Sequence, residues 1–282
     1  MDEHIIEAAG KCRVVVRDGN VVEIGEPVIT DCPLAKRFAC PVTEMTPKAI
    51  RNNIQNRIDS FGMCTQNREL LSEEPFVGFG ASEVMSTALS SRFIDAAVIA
   101  CDGAGTVVIT DPKMVQGIGG RMSGLVRTSP IPDIISRIIE GGGIVPDQKN
   151  ALMNPVSGVR AAHDAGYDHL IVTISKPEDA QAVREEDQDA IIIAVHTTGY
   201  SDTDADIVCT YADIVTACAS KTVRERCGPS ALLQAGSTVP VYALTTQGKY
   251  LILLRMAAIE NPLYVTHVHL PVHGEKSPHP LI

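Results

Sequence analysis

The chain has 282 residues and a mass of 30.1 kDa, enough to bury a sizeable core without metal or disulfide staples. Hydrophobic residues make up 45% and charged residues 21%, the proportions of a globular protein. Twenty-four Lys and Arg against 34 Asp and Glu leave a net charge of −10, which argues against nucleic acid or an anionic membrane as the main partner, because both attract accumulated positive charge.

The N-terminus, MDEHIIEAAGKCR, is acidic at once and lacks the apolar stretch of a signal peptide. Residues 13–16 and 21–24 flank Asp18-Gly19, and Asp-Gly between β-branched runs predicts a hairpin. A loop with Pro and Cys follows over 31–41. Thr46 can cap a helix that Pro47 opens, Ile50, Ile54 and Ile58 line on one face, and Gly62 ends. Residues 81–93 read as a second helix. From residue 94, strands over 96–101, 106–110, 169–174, 190–195, 213–218 and 239–244 alternate with helical segments over 131–140, 157–166, 177–186, 202–211 and 220–227. Residues 247–259 make a final helix, and the tail beyond is rich in Pro and His with little regular structure.

Short, near-continuous apolar strands between helix-length segments predict an α/β fold: a mainly parallel sheet with helices on both faces, preceded by an N-terminal β-hairpin and helical segment. The chain divides into 1–93 (hairpin, Cys loop and helices), 94–260 (α/β domain) and 261–282 (tail). No apolar run approaches the roughly 20 residues of a membrane span. A cytoplasmic setting is expected, and the eight cysteines are read as free thiols, metal ligands or catalytic groups rather than structural bridges.

In an open parallel sheet, ligands bind beyond the carboxyl ends of the strands. Those ends carry Cys101-Asp102, Ser175, His196-Thr197, Cys218 with Ser220, and Thr245. Each hydroxyl has an equally good reading as the cap of the next helix. Convergence of Cys101, His196 and Cys218 is harder to explain that way, since capping needs neither thiol nor imidazole. Cys218 near a helix N-terminus would be a thiolate nucleophile, His196 its base, and Asp102 the group that orients the base. Burial as a small apolar residue is the commoner fate of a free Cys.

The segment VQGIGGRMSGLVRTSP offers Gly117, Gly119, Gly120 and Gly124 for close backbone approach, with Arg121 and Arg127 as cations. It reads either as an anion clamp or as a surface loop, and it satisfies neither the dinucleotide nor the P-loop pattern. Cys12, Cys32, Cys40 and Cys64 form no C-x-x-C pair, so an iron–sulfur cluster or other metal would need Cys32, Cys40 and Cys64 assembled from separate loops. Cys209, Cys218 and Cys227 are separated by element breaks, which speaks against a shared site. In the tail, His267 and His269 are better read as solvated than as a metal pair.

The phrases EHIIEAAGKCRVVVRDGNVVEIGEP, DCPLAK, FGMCT, GFGASEVMSTAL, IDAAVIACDGAGTVV, VQGIGGRMSGLVRTSPIP, VHTTG, ADIVTACASK and LLQAGSTVPVYALT run over about residues 3–250. They resemble the family called methanogenesis marker protein eight. The resemblance implies an archaeal methanogen, an anaerobic cytoplasm and a link to methanogenesis, through maturation of methyl-coenzyme M reductase or one of its cofactors. It implies no particular reaction and no catalytic residues. Two functions follow as expectations: an enzyme or cofactor-maturation factor acting on a small anionic ligand at the strand ends, or a non-catalytic accessory protein, with or without a metal centre, for a methanogenic enzyme complex.

Overall fold

Asp18 and Gly19 both adopt positive φ, 46° and 73°, as a two-residue hairpin turn demands. In the computed structural model, which describes residues 2–122 and 124–282, this turn joins β2 (Arg13–Arg17) to β3 (Asn20–Ile24). A further strand precedes them, β1 (Glu3–Glu7), antiparallel to β2. Helix α1 (Pro47–Phe61) forms as its sequence dictates: the Thr46 hydroxyl accepts from the Ala49 N–H, and Gly62 closes the helix at φ 71°. Its Ile50, Ile54 and Ile58 pack against the strands.

Next come α2 (Ala81–Ser90), β4 (Ala96–Cys101), β5 (Gly105–Ile109), α3 (Pro112–Gly119) and β6 (Gly124–Arg127). Most of the described glycine-rich segment is therefore helix and strand rather than loop. Gly117 and Gly119 lie inside α3, Gly120 ends it, and Gly124 begins β6. Helix α3 excludes larger residues by contact: a Cβ at Gly117 would lie 2.2 Å from the Leu70 carbonyl oxygen. Strand β6 pairs with β1, so the first sheet has the order β3-β2-β1-β6 and takes its fourth strand from mid-chain.

The remaining elements are α4 (Pro132–Glu140), α5 (Pro155–Asp164), β7 (Leu170–Ile174), α6 (Pro177–Glu186), β8 (Ile191–Ala194), α7 (Asp202–Tyr211), β9 (Ile214–Thr216), α8 (Lys221–Arg226), β10 (Leu233–Ala235), β11 (Val241–Ala243) and α9 (Thr246–Ala257). They build a seven-stranded sheet in the order β10-β11-β9-β8-β7-β4-β5. Strands β4, β7, β8 and β9 are mutually parallel, whereas β5, β11 and β10 run antiparallel to their neighbours. The sheet is thus mixed, a parallel centre with antiparallel edges, rather than mainly parallel. The reason is local: three residues join β4 to β5, and β10 and β11 are linked by a short turn, connections too short for a parallel crossover.

Alternation along the strands fills both faces. Ile99, Ile171, Ile193 and Ile214 meet α2, α3, α4 and α9, while Val98, Val172, Ile192 and Val215 meet α5 to α8. Cys209 at the end of α7 and Cys227 after α8 are joined by a disulfide, with Cα atoms 5.3 Å apart. This corrects the expectation that no cysteine bridges: α7 and α8 pack side by side with their C-terminal ends together, which brings together residues that the intervening strand separates in sequence.

Gly105 begins β5 at φ 73°, and a Cβ there would lie 2.3 Å from the Ala151 carbonyl oxygen. Gly105→Ala adds a left-handed backbone penalty to a clash with main chain, so we expect a loss of more than ~2 kcal/mol in urea unfolding. Among the described residues no helix is long and apolar enough to cross a membrane.

Candidate functional site

Parallel strands β7, β8 and β9 are neighbours, so the residues just past their ends, Ser175, His196 and Cys218, are carried to one edge. There the seven-stranded sheet faces β1, β6, α1 and the 31–41 loop across a cavity of ≈ 470 Å³. Ser175, His196, Cys218, Gly119, Gly120 and Arg121 all line it, as do Cys32 and Cys40.

His196 and Cys218 both have positive φ, 57° and 44°. Non-glycine residues held there cost on the order of 1–3 kcal/mol each and persist only where the surroundings impose them. The surroundings do so here. Arg224, buried behind Cys218, donates to the Cys218 carbonyl at 2.8 Å and to the Thr238 carbonyl at 3.2 Å. The Ala219 N–H donates to the Thr198 hydroxyl at 3.2 Å, tying the two strand ends together. Lys11, from the N-terminal unit, donates to the Thr198 carbonyl at 2.9 Å. The imidazole packs on Gly124, where a Cβ would lie 3.3 Å from its Cγ.

Burial pushes the Cys218 thiol above its ordinary pKa, opposed by the N–H and hydroxyl of Thr197 and the N–H of His196. Burial lowers His196 to about 4. At rest the two groups that line the cavity are therefore a neutral thiol and a neutral imidazole. The helix-terminus effect expected to favour a thiolate is outweighed by desolvation in an apolar cavity. Cys32 is also raised by burial, against the N–H groups of Ala35 and Leu34.

Other candidates lie elsewhere. Cys101 points into the core beside Ile99, because alternation along β4 turns Ala100 toward the cavity. Asp102 does not orient His196. It accepts from Arg68 Nε at 3.0 Å and from the Cys64 N–H at 2.6 Å, and both charged side chains are fully buried. Cys64 sits in that cluster, where burial and Asp102 raise its thiol well above the usual value. The set Cys32, Cys40 and Cys64 is thus split between two places. Among the described residues no group of three or more His, Cys, Asp or Glu is disposed to hold a metal ion.

Thr197 is buried and donates to the Thr216 carbonyl at 2.7 Å, and Ser220 caps α8. Thr245 lies at the opposite edge, since β11 runs antiparallel to β9; it caps α9 and donates to Asp213 at 2.5 Å. The hydroxyls Thr197, Ser220 and Thr245 thus have structural partners, and only Ser175 of that group lines the cavity. The tail closes one side. The Asp31 N–H donates to the His279 carbonyl at 3.0 Å, the Ile282 N–H donates to the Ala219 carbonyl at 2.9 Å, and Pro278 lines the cavity.

Residues that sequence reasoning missed include Lys11, Arg57, Arg224 and the rings of Phe38, Phe61 and Phe76. No motif marks them. Lys11 reaches the site only because β1 and β6 pair, and α1 carries Arg57 there only by its packing on the first sheet.

Residues 4–257 match a family described as an uncharacterized protein conserved in archaea, DUF2099. The chain belongs to this archaeal family. The chain is 40% identical over 285 residues to the uncharacterized protein MJ0054 of Methanocaldococcus jannaschii, with both chains covered in full. No solved structure matches the chain. The DUF2099 range takes in every cavity-lining residue except Pro278. The cavity is therefore built from the family's own segment, and only its tail-side rim comes from outside.

Proposed function

We propose that this DUF2099 protein binds a small organic anion in the cavity and acts on it through the Cys218 thiol, with His196 as proton acceptor. The observation that carries the reading is the pair itself: a thiol and an imidazole at the ends of adjacent parallel strands, both in left-handed backbone, both on one cavity wall. Lys11, Arg57 and Arg121 also line the cavity and bring cationic groups to it in a chain of net −10, Arg121 being paired with Glu69 at 2.6 Å. An anion bound beside His196 would favour the imidazolium, raising its basicity toward the ordinary value. The base is thus competent only when ligand is present. The resemblance to the methanogenesis marker family, and the methanogen source of the relative, support a role in maturing a cofactor or enzyme of methanogenesis.

Alkylation under anaerobic conditions tests this reading. Iodoacetate, which carries a carboxylate, should label Cys218 at least tenfold faster than neutral iodoacetamide, while exposed model thiols show the reverse order. Arg57→Gln should remove the preference. Labelling of other cysteines with Cys218 spared, or a faster neutral reagent, would overturn it.

One observation favours a second reading, a non-catalytic accessory protein for methyl-coenzyme M reductase or a related methanogenic enzyme. Leu263, Tyr264, Val265 and Val268 form an exposed apolar arm in the tail, with Tyr264 89% exposed. Co-purification with such an enzyme that is lost on replacing these four by Ser, with unchanged Cys218 labelling, distinguishes the two.

A further inference from the structure

The chain is poor in aromatic residues: it has five Phe, six Tyr and no Trp. Three of the five Phe, at positions 38, 61 and 76, line the one cavity that holds His196 and Cys218. They come from three separate segments, the 3-10 turn at Ala35–Arg37, the end of α1, and the loop before α2. Their convergence is a property of the fold rather than of one apolar stretch. None of the three is fully buried, although an aromatic side chain in a soluble protein contributes most to stability when its whole surface is removed from water.

The rings are arranged rather than merely gathered. Phe38 and Phe76 have centroids 5.6 Å apart at an interplanar angle of 39°. The Arg57 guanidinium stands 4.7 Å from the Phe38 centroid, and Arg121 stands 5.2 Å from that of Phe61. Arg57 Nη1 also donates to the Arg121 carbonyl at 3.5 Å, while the Arg121 guanidinium itself pairs with Glu69 at 2.6 Å. Burial and the neighbouring Arg68 bring Arg57 down to about 10. Glu83 fixes the Phe76 ring's segment, accepting from the N–H groups of Phe76 and Val77 at 2.7 and 3.1 Å.

We propose that the ligand of this cavity is an aromatic anion, its ring system lying against Phe38 and Phe76 and its acidic group set beside Arg57. This rests on the cavity reading above and narrows it to a substrate class. The volume of ≈ 470 Å³ falls within the range of small-molecule pockets. Stacking of rings on rings adds a geometric preference that apolar burial alone does not give.

Two sulfonates separate ring recognition from plain apolar burial: naphthalene-2-sulfonate and octane-1-sulfonate, titrated calorimetrically into the full chain. The aromatic sulfonate should bind at least tenfold more tightly. Phe76→Leu should bring the two affinities within about threefold of each other, and Phe38→Tyr, which keeps a ring, should leave the ratio unchanged. Arg57→Gln should weaken both by about tenfold. Phe76 is 38% exposed, so its replacement leaves the fold intact, which the urea midpoint checks. Equal binding of both sulfonates, or a ratio indifferent to Phe76→Leu, overturns the proposal. If both bind equally and each protects Cys218 from iodoacetate, the site reading stands and only the ring class fails. If neither binds, both fail.

Discussion

Asp102→Ala should cost about 3–5 kcal/mol of folding stability, the largest loss expected for any single polar side chain in this molecule. The carboxylate is wholly buried and, among the described residues, is the one acidic partner of Arg68. Arg68 is itself fully buried and spends its other N–H groups on the carbonyls of Glu69, Gly117 and Ile118, so it cannot turn to water when Asp102 is lost. The Cys64 N–H would lose its acceptor as well. Urea unfolding measures the loss. The double variant Asp102→Ala with Arg68→Met should be more stable than Asp102→Ala alone, because it removes the orphaned charge. A loss below 1 kcal/mol for the single variant would mean that the pair contributes little. Cys218 labelling by iodoacetate should survive in whatever fraction stays folded, since Asp102 holds the joint beneath the site rather than the imidazole.

The second large effect is in pH. Folded His196 takes up its proton near pH 4, whereas an unfolded histidine does so near 6.5. Between those values the unfolded chain binds more protons, so stability is full above about pH 6.5, falls as pH is lowered through the window, and levels off below about 4. The full difference amounts to at most about 3 kcal/mol, reduced by the solvent that reaches the ring from the cavity. His196→Gln should flatten this part of the profile. Nitrogen chemical shifts of the ring should show a neutral imidazole at pH 6, and a bound sulfonate should shift its titration upward. A ring that titrates near 6.5 without ligand would remove the account of ligand-dependent basicity.

Much of the scaffold was legible because local chemistry decides it. The Asp18-Gly19 turn, the Thr46–Gly62 helix with its caps, and the apolar strands around β7, β8 and β9 all carry their own signals. Strand β1 was missed because its EHIIE sequence alternates weakly, and β6 because glycines and arginines masked four residues of strand. Both are held by each other and by β2, which is tertiary information. That His196 and Cys218 lie together at one edge of the sheet was legible from the strand-end rule alone. Asp102 was misleading for the same reason: its strand also ends at that edge, but the turn into β5 points its carboxylate toward Arg68. Thr245 was misplaced because strand direction cannot be read from a run as short as Val241–Ala243. Arg57 and the three rings carry no motif at all.

Because β6 leaves the mid-chain to complete the first sheet, and the cavity lies between the two sheets, neither wall is a free-standing module. Occupancy therefore reports on the whole molecule. A ligand that bridges the walls stabilises both sheets against cooperative unfolding by mass action, by about 2.7 kcal/mol at a concentration 100 times its dissociation constant. Thermal denaturation in the presence of candidate metabolites can then rank ligands without any assay of turnover, and the topology that hid the site from sequence reading makes its occupant detectable.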